Sequence, residues 1–502
     1  MARISEIFAQ HKRWFIAGGI TLAVLAGLLI WQILFLNWLV LALHRWMLPI
    51  LVMAVMIALG VVAYMKYREG WDSYAFRKRD GEQKKKTWIV FAAGAGLMFL
   101  LAIPAFILAN YFYDAKVYES VTVSAAEGDK ATLSEYNTRA PFVVAKAQTQ
   151  NNVTINGEAL DTTYIPEEDK FGAPVKRSGW LKGYGQIVWQ QVGSTGQSSV
   201  DNCTFSDEAN RRFGGWLGTS ITRPIVRENF GVMVEEEDSY AYCGEDGTPY
   251  LVMPLTEYEG FLIPTRVPAG VAIYNGTTGE YEYKDSVEAG EIPGPVYPIS
   301  LSEDALNSTK AADGVWSWLM NSTGFAVPEG DNTSDFNLRR ADGKGDDYVT
   351  PLIMNGRGAA ITAVGTTSSN SVTVGERNAY TVHMLPQARQ GNSAVEEKIK
   401  SDHRNLEWAT GMKMFEIVPT GPNAWSVTLG QNQSIMYRLE LAADGNSCLF
   451  STSGEKIRCS NETVPETTPG ETSTDVTTMT DEQLLELNKQ VQAEIERRLK
   501  GE

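Results

Sequence analysis

Ser401, Asp402 and His403 stand side by side, the three residue types of a hydrolytic triad. Nucleophilic catalysis needs the serine hydroxyl against an imidazole and that imidazole against a carboxylate. Adjacent residues of a helix point in different directions, so this triplet reads as an exposed polar turn. Carboxylates cluster twice: Glu235, Glu236, Glu237 and Asp238 with Glu245 and Asp246, and separately Asp342, Asp346 and Asp347. Such groups can hold calcium or act as a general acid and base. Neither run has the alternating acids and following glycine of a calcium loop, so both read as solvated acidic faces. After residue 113 only His383 and His403 occur, and no His/Cys pair has zinc-ligand spacing. There is no nucleophile elbow and no phosphate-cradling glycine loop. The residues thus nominate no catalytic group, no metal and no cofactor, and point to a binding protein rather than an enzyme.

The four cysteines are Cys203, Cys243, Cys448 and Cys459. An even number confined to one part of the chain fits two disulfides formed in an oxidising compartment. Of the three possible pairings the expected one is Cys203–Cys243 with Cys448–Cys459, the second closing a local hairpin.

These residues must be carried by something, and charge divides the carrier in two. Residues 1–113 hold twelve Lys or Arg against five Asp or Glu, a net +7; the rest holds 32 against 55, a net −23. A segment that acidic repels phosphate, so no nucleic-acid partner is expected. The first part contains three apolar stretches, about 14–36, 46–64 and 88–111. A membrane crossing needs about 20 apolar residues at 1.5 Å each, so the sequence predicts three transmembrane helices in a 1–113 membrane module. Eight Lys or Arg fall between Lys66 and Lys86, and Arg3, Lys12 and Arg13 flank the first stretch. Positive charge is retained in the cytoplasm. That rule predicts a multi-pass plasma-membrane protein with a cytoplasmic N-terminus and everything after residue 113 outside. Gln32 and Asn37 are the polar exceptions within the first stretch.

Residues 114–460 change character. Trp425–Leu429 and Ser434–Leu441 alternate apolar and polar residues, the period of half-buried antiparallel strands. Tyr250–Leu255 and Met414–Val418 are short apolar runs suited to core strands. Helices are expected at Asp207–Leu217, from Ser300 toward Met320, and at Ser393–Trp408. The second opens on a Ser300/Glu303 capping box and carries an apolar stripe through Ala312, Val315, Trp316 and Leu319. The predicted fold class is therefore α+β: three transmembrane helices, a β-dominated exported domain of one or two subdomains, and a C-terminal helix. Residues 461–478, rich in Thr, Pro and Glu, read as a disordered linker. Residues 479–502 read as an amphipathic helix with Leu484, Leu487, Val491, Ile495 and Leu499 on one stripe, a surface for self-association or a protein partner.

Gly270–Tyr274, the turn Asn275–Gly279 and Glu280–Tyr283 form a hairpin pattern. Over Val271–Tyr283 it resembles the hairpin of small exported PepSY-type domains. The whole chain is similar in style to bacterial or phage-encoded membrane-anchored envelope proteins of unassigned function. Neither resemblance transfers functional residues. The expectation is a membrane-anchored binding or scaffold protein of the cell envelope, with the lipid bilayer as one partner. Two rivals stand beside it: an exported carboxylate-dependent hydrolase or glycan-processing enzyme, and a component of a membrane pore.

Overall fold

Short alternating segments separated by Gly, Asn and Asp favour strands joined by tight turns, and strands dominate. The computed structural model describes residues 36–72, 102–124, 135–192, 198–328, 336–356, 360–389, 392–406, 408–420, 425–432, 434–442 and 445–461, with isolated positions between 19 and 27. The chain divides into two compact units, Met1–Ile457 and Arg458–Glu502; the packing below is that of the first. The fold is mostly β, with its sheets in a propeller-like arrangement.

One sheet centres on Pro249–Glu259, which pairs antiparallel with Thr265–Asn275, Val232–Val234 and Tyr240–Cys243. Leu251, Val252, Met253 and Leu255 are all buried, so the apolar run expected at Tyr250–Leu255 is covered on both faces. Pro254 has no N–H to give a ladder, and the register shifts there, between Pro254 and Thr256. The predicted hairpin is present: Val271–Tyr274 pairs with Tyr281–Lys284. Asn275 builds its turn, its Oδ1 accepting from the Thr277 and Thr278 N–H groups, and Gly279 closes it at φ +77°.

A second sheet runs through Lys170–Arg177 and Tyr184–Val192. A third joins Asp346–Met354, Ile361–Ser368 and Tyr380–Arg389, with Val121–Ser124 added in parallel at the edge. The last is a five-stranded meander from Lys413–Pro419 through Trp425–Gln431 and Ser434–Leu441. In that third strand Ile435, Leu439 and Leu441 are buried on the face the alternation predicts.

The predicted class needs correction. The fold is mostly β, and three transmembrane helices are not supported. Among the described residues no single helix is long and apolar enough to cross a membrane. Leu36–Arg45 and Met47–Val61 pass that test only as a pair, and the pair is bent by 79°. The break falls at Trp46, directly after His44 and Arg45, whose side chains are both taken up by contacts elsewhere in the fold. Most of the stretch 14–36 and residues 88–101 lie outside the described residues, as do the 462–478 linker and the C-terminal stripe Leu484–Leu499.

The expected helices are also revised. Asp207–Leu217 forms turns, because Gly214 (φ +64°) and the close-packed Gly215 interrupt any helix. The Ser300 helix runs only Ile299–Ser308; Gly314 (φ +88°) separates it from a short second helix, Val315–Leu319. That second helix buries none of its residues, so the anticipated stripe faces outward. The third helix is Asn392–Asp402.

Candidate functional site

The densest polar chemistry lies where the N-terminal helices meet the β-sheets. Asn37 is buried in that contact. Its Nδ2 donates to the Val232 carbonyl (2.8 Å) and its Oδ1 accepts from the Gly231 N–H (2.7 Å), so one amide engages the strand edge twice. His44 Nε2 pairs with the Gly260 carbonyl at 2.8 Å. The Arg45 guanidinium lies over the Tyr113 ring at 4.1 Å and donates to Asn110 Oδ1. The helix over 102–118 closes the joint. Trp46 stacks on Phe106 at 4.4 Å, and Asp114 accepts from Trp318 Nε1 (2.6 Å) and pairs with Lys310 (3.2 Å). Polar side chains that would be costly in hydrocarbon thus serve as fasteners.

Behind this joint runs a charged network. Arg266 donates to Glu235 Oε2 (2.6 Å), Thr256 Oγ1 and Ser300 Oγ. Asp304 accepts from the Tyr113 hydroxyl (2.8 Å) and from Arg377 (3.4 Å). Asp238 accepts from the Ser300 N–H (2.9 Å) and hydroxyl (2.7 Å). The helix beginning at Ile299 is therefore capped from 62 residues away, not by its own capping box. Burial pushes the Asp238 carboxyl up to about 6, against the two Ser300 hydrogen bonds that pull it down.

The acidic clusters are solvated only in part: Asp238, Asp346 and Asp347 are buried, and the clusters do not converge on one site. Asp346 is only 1 % exposed, and no described donor reaches either carboxyl oxygen. Its neighbour is Glu167, whose Oε2 accepts from the Gly294 N–H while Oε1 is also undonated. Burial first, then the Glu167 contact, push Asp346 up to about 8. One proton held between the two carboxyls would satisfy the undonated oxygens of this pair. Asp347 is buried beside it, accepting from the Tyr136 hydroxyl at 2.7 Å. Asp246 is exposed and caps its own turn through Thr248, and Glu236, Glu237, Glu245 and Asp342 are exposed as expected.

The Ser401–His403 triplet is not an exposed turn either. His403 and Ser447 are fully buried, with Nε2 and Oγ 3.1 Å apart. Ser447 gives its proton to Asp402 Oδ2 (2.8 Å), so His403 Nε2 donates to the serine rather than drawing its proton away. That is a packed hydrogen-bond chain, not an activated nucleophile. A further buried pair joins Arg139 to Glu416 at 3.0 Å, the guanidinium lying over Phe142 at 4.2 Å. Burial raises Glu416 while Arg139 holds it down.

Among the described residues, three open grooves stand out. One of about 500 Å³ lies at the joint, lined by Trp38, Leu41 and Arg45 opposite Thr222, Val226 and Glu235. A second, about 420 Å³, is lined by Lys310, Trp318 and the amides of Asn307, Asn321 and Asn355. The third, about 450 Å³, is apolar and lies along the helices at Val40–Ala54. Of the clustered carboxylates, only Glu235 lines one of these three. Among the described residues no group of three or more His, Cys, Asp or Glu is placed to hold a metal ion.

The disulfides are as expected. Cys203–Cys243, with Cα atoms 5.9 Å apart, ties two sheets together; Cys448 and Cys459 are also disulfide-bonded, and no cysteine is free. Sequence reasoning missed Arg266, Glu167 and the double role of Asn37. Only Asn37 carried a signal, as a lone amide in an apolar run. No protein-family model matches the chain, and no curated protein matches it.

Proposed function

We propose that this chain is a membrane-tethered binding or scaffold protein of the cell envelope, displaying an acidic, disulfide-braced β unit on the outer side. One observation carries the reading. The helices at 36–61 and 102–118 leave large apolar side chains exposed, among them Val55, Leu59, Ile103 and Phe106, while their polar side chains are turned to hold the β unit. Such a surface is unfavourable in water and favourable in lipid. Two disulfides support an oxidising compartment, and the −23 charge after residue 113 supports display rather than contact with nucleic acid. The stripe Leu484, Leu487, Val491, Ile495 and Leu499 is the proposed contact for a protein partner or a second copy.

The test is fractionation of expressing cells, followed by an alkaline wash and external protease. The expected result is a chain kept in the membrane pellet, a β unit cut from outside, and no cysteine labelled before reduction. A chain released by the wash with four reactive thiols would overturn the proposal. Deleting 479–502 is expected to abolish partner capture from intact membranes without releasing the chain.

A further inference from the structure

Loops from distant parts of the β unit leave large apolar side chains outside, and three of them adjoin a contact with the apolar helices. Two others carry the same triplet, Gly179-Trp180-Leu181 and Gly215-Trp216-Leu217. Trp180 is 65 % and Trp216 47 % exposed, and their rings lie together at 5.2 Å. The backbone beneath them is pinned. The Gly183 N–H donates to Asn210 Oδ1, Asn210 Nδ2 donates to the Leu181 carbonyl, and the Arg212 N–H to Thr219 O closes the second loop. The helix that follows, Thr222–Glu228, lines the joint groove opposite Trp38.

Phe261 is 74 % exposed on the next loop, beside Gly260, the partner of His44. Its neighbour Leu262 is held at φ +64°, a conformation rare for a leucine. Phe230, also exposed, precedes Gly231, whose N–H donates to Asn37. Trp316 is 73 % exposed and Met320 is similarly bare, on either side of Trp318, which donates to Asp114. Lys182 shares the tip of the first tryptophan, Arg223 and Arg227 lie on the helix Thr222–Glu228, and none of the three forms an ion pair among the described residues.

Exposed indoles with adjoining cations match the chemistry of a bilayer's interfacial layer, where aromatic rings settle and Lys or Arg meets anionic headgroups. Because the loops of Phe230, Phe261 and Trp316 adjoin the helices and the tryptophan pair leads into the helix that lines the joint groove, continuity selects lipid over a separate soluble ligand. We infer that the Trp180/Trp216 tips, with Phe230, Phe261 and Trp316, dip into the headgroup region of the bilayer, so that the β unit rests on it. This rests on the tethering proposed above.

The experiment places single nitroxide labels on the full chain at Leu181→Cys and Phe261→Cys, with Glu245→Cys as a reference on an exposed turn. Native cysteines do not compete, since all are in disulfides. The protein is reconstituted in phosphatidylcholine–phosphatidylglycerol vesicles, and flotation is scored beside the accessibility of each label to oxygen and to a nickel chelate. The expected result is an oxygen-to-nickel ratio severalfold higher at 181 and 261 than at 245. Water-like ratios at all three sites on vesicles that carry the protein would overturn the inference and leave tethering intact. A chain that fails to float would overturn both. Shielding of 181 in detergent, with a dimer by sedimentation, would assign the surface to a second copy and overturn lipid contact. If Leu181→Cys loses its cooperative melt, Lys182→Cys at the same tip gives the same reading.

Discussion

The helix over Met47–Val61 and the strand Pro249–Glu259 are both runs of Leu, Val and Met, yet they end in opposite surroundings. In the strand, Leu251, Val252 and Met253 are shut inside the largest core. In the helix, Leu51, Met53, Val55, Ile57 and Leu59 all stay exposed. Both runs must leave water, but composition does not say where they go. The strand is one of a series separated by turn residues, so neighbouring strands cover it. The polar fasteners sit on the preceding segment, Leu36–Arg45, and the helix itself keeps its apolar faces exposed. Burial within the sheets is accordingly expected to carry the stability, while the helices depend on their joint and their surroundings.

Four substitutions sharpen or break that contrast. The largest effect is expected from Arg139→Ala, which strands Glu416 inside the β unit; a loss of about 3–5 kcal/mol in denaturant unfolding is anticipated. A change within experimental error would mean that Glu416 is neutral and that the sheets do not rely on this pair.

Asp346→Asn comes next and carries a pH signature. Burial and the Glu167 contact push the Asp346 carboxyl up to about 8 in the folded chain, against 3.8 as the reference. Between those values the folded state holds more protons than the unfolded state, so stability falls as pH rises through the window and is level on either side. The asparagine variant removes that slope. It is expected to be more stable than the parent at pH 8, by on the order of a few kcal/mol, and no more stable at pH 4. Parallel pH profiles for parent and variant would refute the shared proton.

Asn37→Leu removes two hydrogen bonds at the joint. It leaves the Gly231 N–H and Val232 carbonyl unpaired, at about 1–3 kcal/mol. Hydrogen exchange is expected to quicken at 229–234 while the meander at Lys413–Leu441 keeps its protection. Uniform acceleration across both would show that the joint and the sheets form one cooperative element. The smallest effect belongs to Asp161→Ala, which breaks the exposed pair with Lys146. No measurable shift in melting is expected; a clear shift would show that surface charge contributes where burial was taken to dominate.

Strands were legible wherever alternation and turn chemistry agreed, as at Ser434–Leu441 and in the hairpin around Asn275. The cysteine pairing was legible because four residues leave few options. Helices were overread. Gly214 and Gly314 each demand a left-handed backbone where periodicity suggested continuity. The acidic clusters were read as solvated because exposure is the usual fate of consecutive carboxylates. Nothing local marks that Ser300 would meet Asp238, or Glu167 would meet Asp346.

Local chemistry was therefore enough for a β-rich, disulfide-bonded, acidic body attached to an apolar N-terminal part. Those properties depend on residue type, spacing and net charge, which the linear chain contains in full. The bend at Trp46, the cap that Asp238 places on a helix 62 residues later and the meeting of Trp180 with Trp216 were decided by folding alone. Each depends on groups brought within a few ångströms from distant positions, and no pattern along the chain specifies such a distance.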